Sequence, residues 1–409
     1  MSREDNMLCP VSLPARQDDF QTTVMEAAFT AAREQGPVVR ARFPFGSYPK
    51  GPDGWIVIGY DEAKFVLSDP RFSVEESTWY DYPRIRADQS PVGPRSFMDL
   101  DPPQHTPRKL MMSKHMTVKR VQALIPETES IVSRCLDLME ETGPPADLVH
   151  HLTQAVPPGV LCHLLGIPEE EYILIRPAAT AIGSSQPKSV EEFEAAVEFL
   201  RSYFVELTAR RKQEPRDDLI SALITDTEGQ WTEDELNDIG RIIVSAGQDT
   251  TAVAMGSIFQ WLVNNHASYR LLRQDPSLIP SAVEEFLRLL PVGLSGAGHT
   301  RIAMEDVEVG SVQFKRGDPV LPIVHAGNLD PAVYQCPMEF KLDREGAPPH
   351  IGFGYGPHGC PGQQLARMEL QTALRLTIER FPELRAAQEN SDWRADMLLR
   401  GPKLLEVTW

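Results

Sequence analysis

Apolar residues recur at helical spacing over most of this chain and alternate like strands only in short stretches. Helices are expected at 20–35, at Asp61–Leu67, and at Val121–Thr142 and Val190–Arg211. Helical patterning dominates from His105 to about Arg288. The longest periodic run, Thr232 to about Asn265, begins with Thr232-Glu233-Asp234-Glu235. There a Thr and a Glu three residues apart can exchange caps with each other's backbone N–H. A helix of that length crosses a whole core. Another helix is expected from Pro361 to about Arg380. Strands are expected at Val38–Arg42, Trp55–Ile58, Val320–Val324 and Leu404–Trp409, with short strands and a turn in Val307–Phe314. The fold class is therefore mainly α with a smaller β-rich portion, in one domain over 1–409, with residues 1–19 expected as a flexible N-terminal segment. Ser73–Arg95 is long, irregular and rich in Trp, Tyr, Pro and charge, which suits a binding loop or lid.

Composition narrows the function. A hydrophobic content of 42% supplies a large core, and no run approaches the roughly 20 apolar residues of a membrane span. The N-terminus lacks the charged-then-apolar signal pattern. Five widely spaced cysteines imply a reducing, cytoplasmic setting without a disulfide framework. The net charge of −18 disfavours nucleic acid, whose phosphates need clustered Lys and Arg. The 35 prolines punctuate the chain as joints between short helices rather than forming a linker.

The chemistry gathers around Phe353-Gly354-Tyr355-Gly356-Pro357-His358-Gly359-Cys360-Pro361-Gly362. Glycines there permit positive φ and a close approach to a flat ligand. The helix that follows favours an anion at its start, which suits a thiolate. Taken alone, Cys360 would be a small buried apolar residue, and zinc would want more Cys or His at short spacing. The ten-residue pattern resembles the loop with which cytochromes P-450, the haem-thiolate monooxygenases, present their axial cysteine. The resemblance runs from about Val38 to Trp409. It implies the P-450 fold with a long central helix across the haem, a soluble bacterial class and Cys360 as the haem iron ligand.

Further segments carry the resemblance. Ser245-Ala246-Gly247-Gln248-Asp249-Thr250-Thr251 places Gly and Thr in mid-helix, where both weaken the helix and a Thr hydroxyl can bend it. Gly247 would leave room for a small molecule. By resemblance Thr250 stabilises bound dioxygen and Asp249 delivers protons; both are the expected catalytic residues. Glu285 and Arg288 share a helix face; alone they read as a surface pair, and by resemblance they support the cysteine loop from behind. The family's third member, an Arg, is replaced by Glu339 in Pro337-Met338-Glu339-Phe340. His105, Arg301 and His350 stand at propionate-binding positions, and Phe353 and Gly362 are cofactor-binding positions of the loop. Lys109 replaces the usual Arg, keeping the charge without the bidentate fork.

The resemblance implies haem b, O2 as co-substrate, and electrons from NAD(P)H through a ferredoxin and ferredoxin reductase. No dinucleotide fingerprint is present to supply them internally. Arg108, Lys109, Lys114, Lys119, Arg120 and Arg367 form a candidate docking patch, or else solvated helix surfaces. A monomer acting on a hydrophobic small molecule, with no nucleic-acid or membrane partner, is expected. Candidate pocket residues are Ile182, Val244, Gln248, Val292, Leu294, Met397 and Leu398. Gln248 either meets substrate or water, or points to the back of its helix. The C-terminal Met397–Pro402 segment resembles enzymes of bacterial secondary metabolism. That implies oxygen insertion into a C–H or C=C bond of a macrolide, cyclic dipeptide, terpenoid or aromatic product. The rival readings are an oxidase that couples two atoms or closes a ring without inserting oxygen, and a haem sensor without turnover.

Overall fold

Val38–Arg42 and Asp53–Val57 pair antiparallel, with Val39 opposite Ile56, and their alternation feeds two cores at once. Val39, Ile56 and Leu321 project to one face, packed with Phe29 and Phe43. Val38, Val57 and Val320 project to the other, packed with Phe314 and Tyr334. A period of two with both faces apolar is the requirement for a covered sheet. The computed structural model describes residues 11–12, 29–43, 46, 51–83, 96–183, 190–226, 231–293, 300–388, 399 and 401–409. These fall into two units, each assembled from separate chain segments.

The smaller unit comprises 1–103, 293–339 and 346–359. Its sheet has six strands in the order Val11–Ser12, Val38–Arg42, Asp53–Val57, Pro319–Pro322, Arg301–Ala303, Phe72–Ser73. Val11 and Ser12 pair in parallel with Ala41 and Arg42, so part of the expected flexible N-terminal segment is sheet. Of the helix expected at 20–35, residues 29–33 are helical; 20–28 lie outside the described residues. Val307–Val309 and Val312–Phe314 form a hairpin. Val324 belongs to the following helix, Val324–Asn328, rather than to a strand.

The larger unit comprises 104–292, 340–345 and 360–409. Its centre is the Glu233–Asn264 helix of 32 residues, about 48 Å long at 1.5 Å per residue. Thr232 and Glu235 close the expected capping box: Glu235 N–H donates to Thr232 Oγ1 at 3.2 Å and Thr232 N–H to Glu235 Oε2 at 2.9 Å. Helices Val156–Leu165, Glu169–Gly183, Val190–Gln213 and Gln363–Arg380 pack on it. The continuous helix expected over Val121–Thr142 is instead two, Val118–Ala123 and Ile125–Thr142. Pro126 is the cause: it has no N–H to bond back and its ring crowds the preceding turn, so it starts a helix rather than continuing one. Glu406–Thr408 pairs with Arg385–Ala386 and Ala146–Asp147, as the C-terminal patterning predicts.

Candidate active site

The smaller unit shapes the turn that leads to Cys360. Gly354 and Gly356 have φ of +74° and +69°. The turn is closed by Gly354 N–H to Ile351 O at 2.8 Å and Gly359 N–H to Gly356 O at 3.1 Å. Gly356 is also pressed against the end of the Tyr60–Ser68 helix, where a Cβ would lie 2.7 Å from Leu67 O. Two glycines thus do what the sequence pattern implies, and one of them also makes room for a neighbour.

In the larger unit, Cys360 stands two residues before Gly362, the N-cap of the Gln363–Arg380 helix. Burial pushes the Cys360 thiol up; the Gly362 backbone N–H bonded to its sulfur, with Lys109 and Arg367, pulls the other way. Burial lowers Lys109, opposed by the Cys360 charge. The donor set therefore fits a metal-bound thiolate: one sulfur, an N–H aimed at it, and cations at hand. Cys135 and Cys162 are pushed up to about 11 and about 12 by burial, with no comparable cluster of opposing donors, and read as inert packing thiols. Among the described residues no cluster of three or more His, Cys, Asp or Glu forms a metal site, so nothing there makes a zinc tetrad with Cys360.

Within the larger unit Glu285 is the hub of a buried network. It accepts from Arg288 at 2.7 and 2.8 Å, from the Lys341 backbone N–H at 2.9 Å and from Arg344 Nε at 2.8 Å. Burial raises the Glu285 carboxyl, but these donors together hold it below its usual range. The pair is buried, not the surface bridge its spacing alone suggests. The third arm, which Glu339 cannot supply in place of the family's Arg, comes from Arg344. Phe340 carries the segment inward by stacking on Phe286 at 4.5 Å, which brings Arg344 to Glu285. An arginine soon after an aromatic anchor was the available signal.

On the central helix, Thr250 donates its hydroxyl to Ala246 O at 2.7 Å, the helix-bending bond its position implies. Ala246 is the exposed residue in a helix that is otherwise covered from 235 to 263. Gly247 does not leave room for a small molecule: a Cβ there would meet Leu161 at 3.1 Å, so its small size serves helix packing. Gln248 takes the second of its two expected directions. It is 3% exposed and turns to the Glu169–Gly183 helix, accepting from Tyr172 Oη at 2.5 Å. Its amide donates to Thr180 Oγ1 at 3.4 Å and to Asp249 Oδ2 at 3.2 Å. Spacing alone gave no sign of Tyr172 or Thr180.

The remaining expected residues divide between the units. In the larger unit His105 opens the His105–Ser113 helix and is fully buried. Val244 is fully buried, and Ile182 and Val292 are half-buried. In the smaller unit Arg301 is buried, and burial lowers its guanidinium to about 10 against the opposing charge of Asp101. His350 Nδ1 accepts from Gly352 N–H at 3.0 Å, which places the ring proton on Nε2 as a donor. Its ring lies 5.8 Å from that of Phe353. Leu294, Met397 and Leu398 lie outside the described residues. The basic patch is thinner than its sequence suggests. Arg108 is bound to Glu235, and Arg367 to Glu284 at 2.6 and 3.0 Å, while Lys114, Lys119 and Arg120 are exposed.

The family model for cytochrome P450 matches residues 272–409. The chain is 36% identical to the nocardicin C N-oxygenase of Nocardia uniformis subsp. tsuyamanensis, across 100% of both chains. It resembles the crystal structure of the LnmA cytochrome P450 hydroxylase of the leinamycin biosynthetic pathway of Streptomyces atroolivaceus. That match has 37% identity and a TM-score of 0.84, over 93% of this chain and 95% of that one. A cytochrome P450 with biaryl coupling reactivity matches at 34% identity and TM-score 0.85, over 93% and 96%. The chain belongs to the cytochrome P450 family. It is a monooxygenase of the bacterial secondary-metabolite kind, and the family implies haem, dioxygen and electrons delivered from outside. Among the described residues no helix is long and apolar enough to cross a membrane.

Proposed function

We propose that this protein inserts one oxygen atom from O2 into a C–H or C=C bond of a hydrophobic natural product, with Cys360 as the residue that would ligate the iron of haem b. The observation that carries the reading is the Cys360 sulfur at the start of the Gln363–Arg380 helix, with the Gly362 N–H bonded to it and the charges of Lys109 and Arg367 acting on it. A haem held by that thiolate would supply dioxygen activation. Lys109 and His105 in the larger unit, and Arg301 and His350 in the smaller, are the residues for the propionates. Phe353 would contact the cofactor. Thr250 holds a hydroxyl at the middle of the central helix, and Asp249 brings protons to it. Both units are taken as parts of a single catalytic domain, since neither is a continuous stretch of chain. A ferredoxin and its reductase bring the electrons from NAD(P)H. The substrate classes are macrolide, cyclic dipeptide, terpenoid and aromatic.

The ligand assignment is tested by the carbon monoxide difference spectrum of the reduced protein. Wild type should show the red-shifted band of a thiolate-ligated haem, and Cys360→His should lose it with haem retained. A band that survives the substitution overturns the assignment. Thr250→Ala should divert oxygen from product to peroxide; unchanged coupling would remove Thr250 from the mechanism.

A second reading, oxidative coupling without oxygen insertion, is supported by the likeness to the cytochrome P450 with biaryl coupling reactivity. Turnover under labelled O2 separates the two, because insertion alone leaves label in the product.

A further inference from the structure

Two neighbouring acids on the Ile279–Leu289 helix serve different arginines. Glu285 takes Arg288 and Arg344. Glu284 turns to the Gln363–Arg380 helix, which packs against its own, and takes Arg367 in a fork. Arg367 Nε donates to Glu284 Oε1 at 2.6 Å and Nη2 donates to Oε2 at 3.0 Å. The remaining edge of the guanidinium is held as well, with Nη1 donating to Gln363 Oε1 at 2.9 Å. A planar group with donors in fixed directions suits this two-sided grip, which a flexible ammonium would not reproduce. The Arg367 side chain is 20% exposed and that of Glu284 43%.

The grip fixes a charge in a particular place. Gln363 is the first residue of its helix, and Cys360 stands three residues before it. The Arg367 guanidinium is therefore tied to the first turn of the helix that the cysteine introduces. Its charge reaches the sulfur, acting on Cys360 together with that of Lys109. The Glu284 carboxylate lies against that cation and cancels part of its field. Partly covered charges of this kind act through an effective dielectric of about 20 and are screened only weakly by salt.

We infer that Glu284 sets how strongly the Cys360 thiolate donates to a bound iron, by compensating the cation of Arg367. An unopposed cation beside the sulfur withdraws electron density and stabilises the more negative, reduced site. A compensated cation leaves the thiolate a stronger donor. One electron is involved, the one a ferredoxin supplies: ferric iron becomes ferrous, and no bond or proton changes hands. Glu284 and Arg367 are positioning residues, since both act through Cys360. The inference rests on the reading of Cys360 as the iron ligand.

The test is the ferric–ferrous equilibrium of the haem-loaded, substrate-free protein against a redox dye, with the carbon monoxide band as the check on ligation. Glu284→Gln leaves the cation unopposed and should shift the equilibrium about tenfold toward ferrous, or about 59 mV for one electron. Arg367→Met leaves the carboxylate unopposed and should shift it about tenfold toward ferric. The double variant and Arg367→Lys keep the net charge of the wild-type pair and should stay within about twofold. The C–O stretch of the ferrous carbon monoxide complex should rise in Glu284→Gln and fall in Arg367→Met. A packing role would lower haem content or melting temperature without moving the equilibrium in opposite directions. Single variants that shift together, or not at all, overturn the inference. If Arg367→Met loses its haem, Glu284→Gln and Arg367→Lys decide: the first must move and the second must not. Slower reduction by ferredoxin at an unchanged equilibrium would also overturn it, returning Arg367 to the docking surface. A wild type without the red-shifted band removes Cys360 as the ligand; an unmoved equilibrium with that band intact sinks the role of Glu284 alone.

Discussion

Arg344 Nε donates to Glu285 Oε1 at 2.8 Å, completing a buried network that Arg288 begins from the same helix as Glu285. Both Glu285 and Arg288 are nearly inaccessible, at 6% and 3% exposure. Breaking a buried pair by removing one partner leaves a stranded charge.

Arg344→Ala should therefore cost about 3 kcal/mol in denaturant unfolding. It should also sharpen the loss of stability in acid. The Glu285 carboxyl is held below its usual range, so its contribution is complete above the unfolded value of about 4.3 and lost as pH falls through the lower folded one. Without Arg344 that folded value rises, and the acid unfolding midpoint should move to higher pH. An unmoved midpoint would show Arg344 to be a bystander.

The two positive-φ glycines of the cysteine loop should respond differently. Gly354→Ala meets nothing closer than 3.6 Å and should cost only the left-handed strain, about 1–2 kcal/mol. Gly356→Ala adds a Cβ 2.7 Å from a backbone oxygen, so the Tyr60–Ser68 helix end must shift too. Thermal midpoint and haem content should both fall further for Gly356→Ala; equal losses would contradict the close approach.

Glu369 is 2% exposed, and its Oε2 has no hydrogen-bond partner. Burial alone raises it well above the usual carboxyl range. Its stabilising, protonated state is fully present below the unfolded value near 4.3 and is lost as pH rises toward the folded one. Glu369→Gln keeps the shape without the titration. It should be more stable than wild type at pH 8 by about 1–3 kcal/mol, with the difference vanishing near pH 4. A pH-independent difference would refute the linkage.

Electron delivery should depend on the exposed cations rather than on Arg108. Lys119→Glu with Arg120→Glu should slow reduction by a ferredoxin about tenfold at low salt, an effect that shrinks as ionic strength rises. Arg108→Glu should chiefly lower stability, because it sets two acidic side chains against each other where Arg108 now binds Glu235. Stopped-flow reduction and thermal melting distinguish the two.

Much of this protein was legible along the chain. The central helix, its capping box, the paired strands and the cysteine loop all follow from local periodicity, caps and glycine placement. Those are short-range interactions that the sequence writes directly. What tertiary structure alone decided is which partner each polar side chain finds. Arg344 reaches Glu285 because Phe340 stacks on Phe286, and Gln248 turns to Tyr172, 76 residues away. Gly247 admits Leu161 rather than a small molecule, and Pro126 divided a helix whose apolar pattern ran on. Helical spacing says which residues share a face; which face meets which neighbour is settled when distant segments pack, and there the direction of each hydrogen bond is chosen.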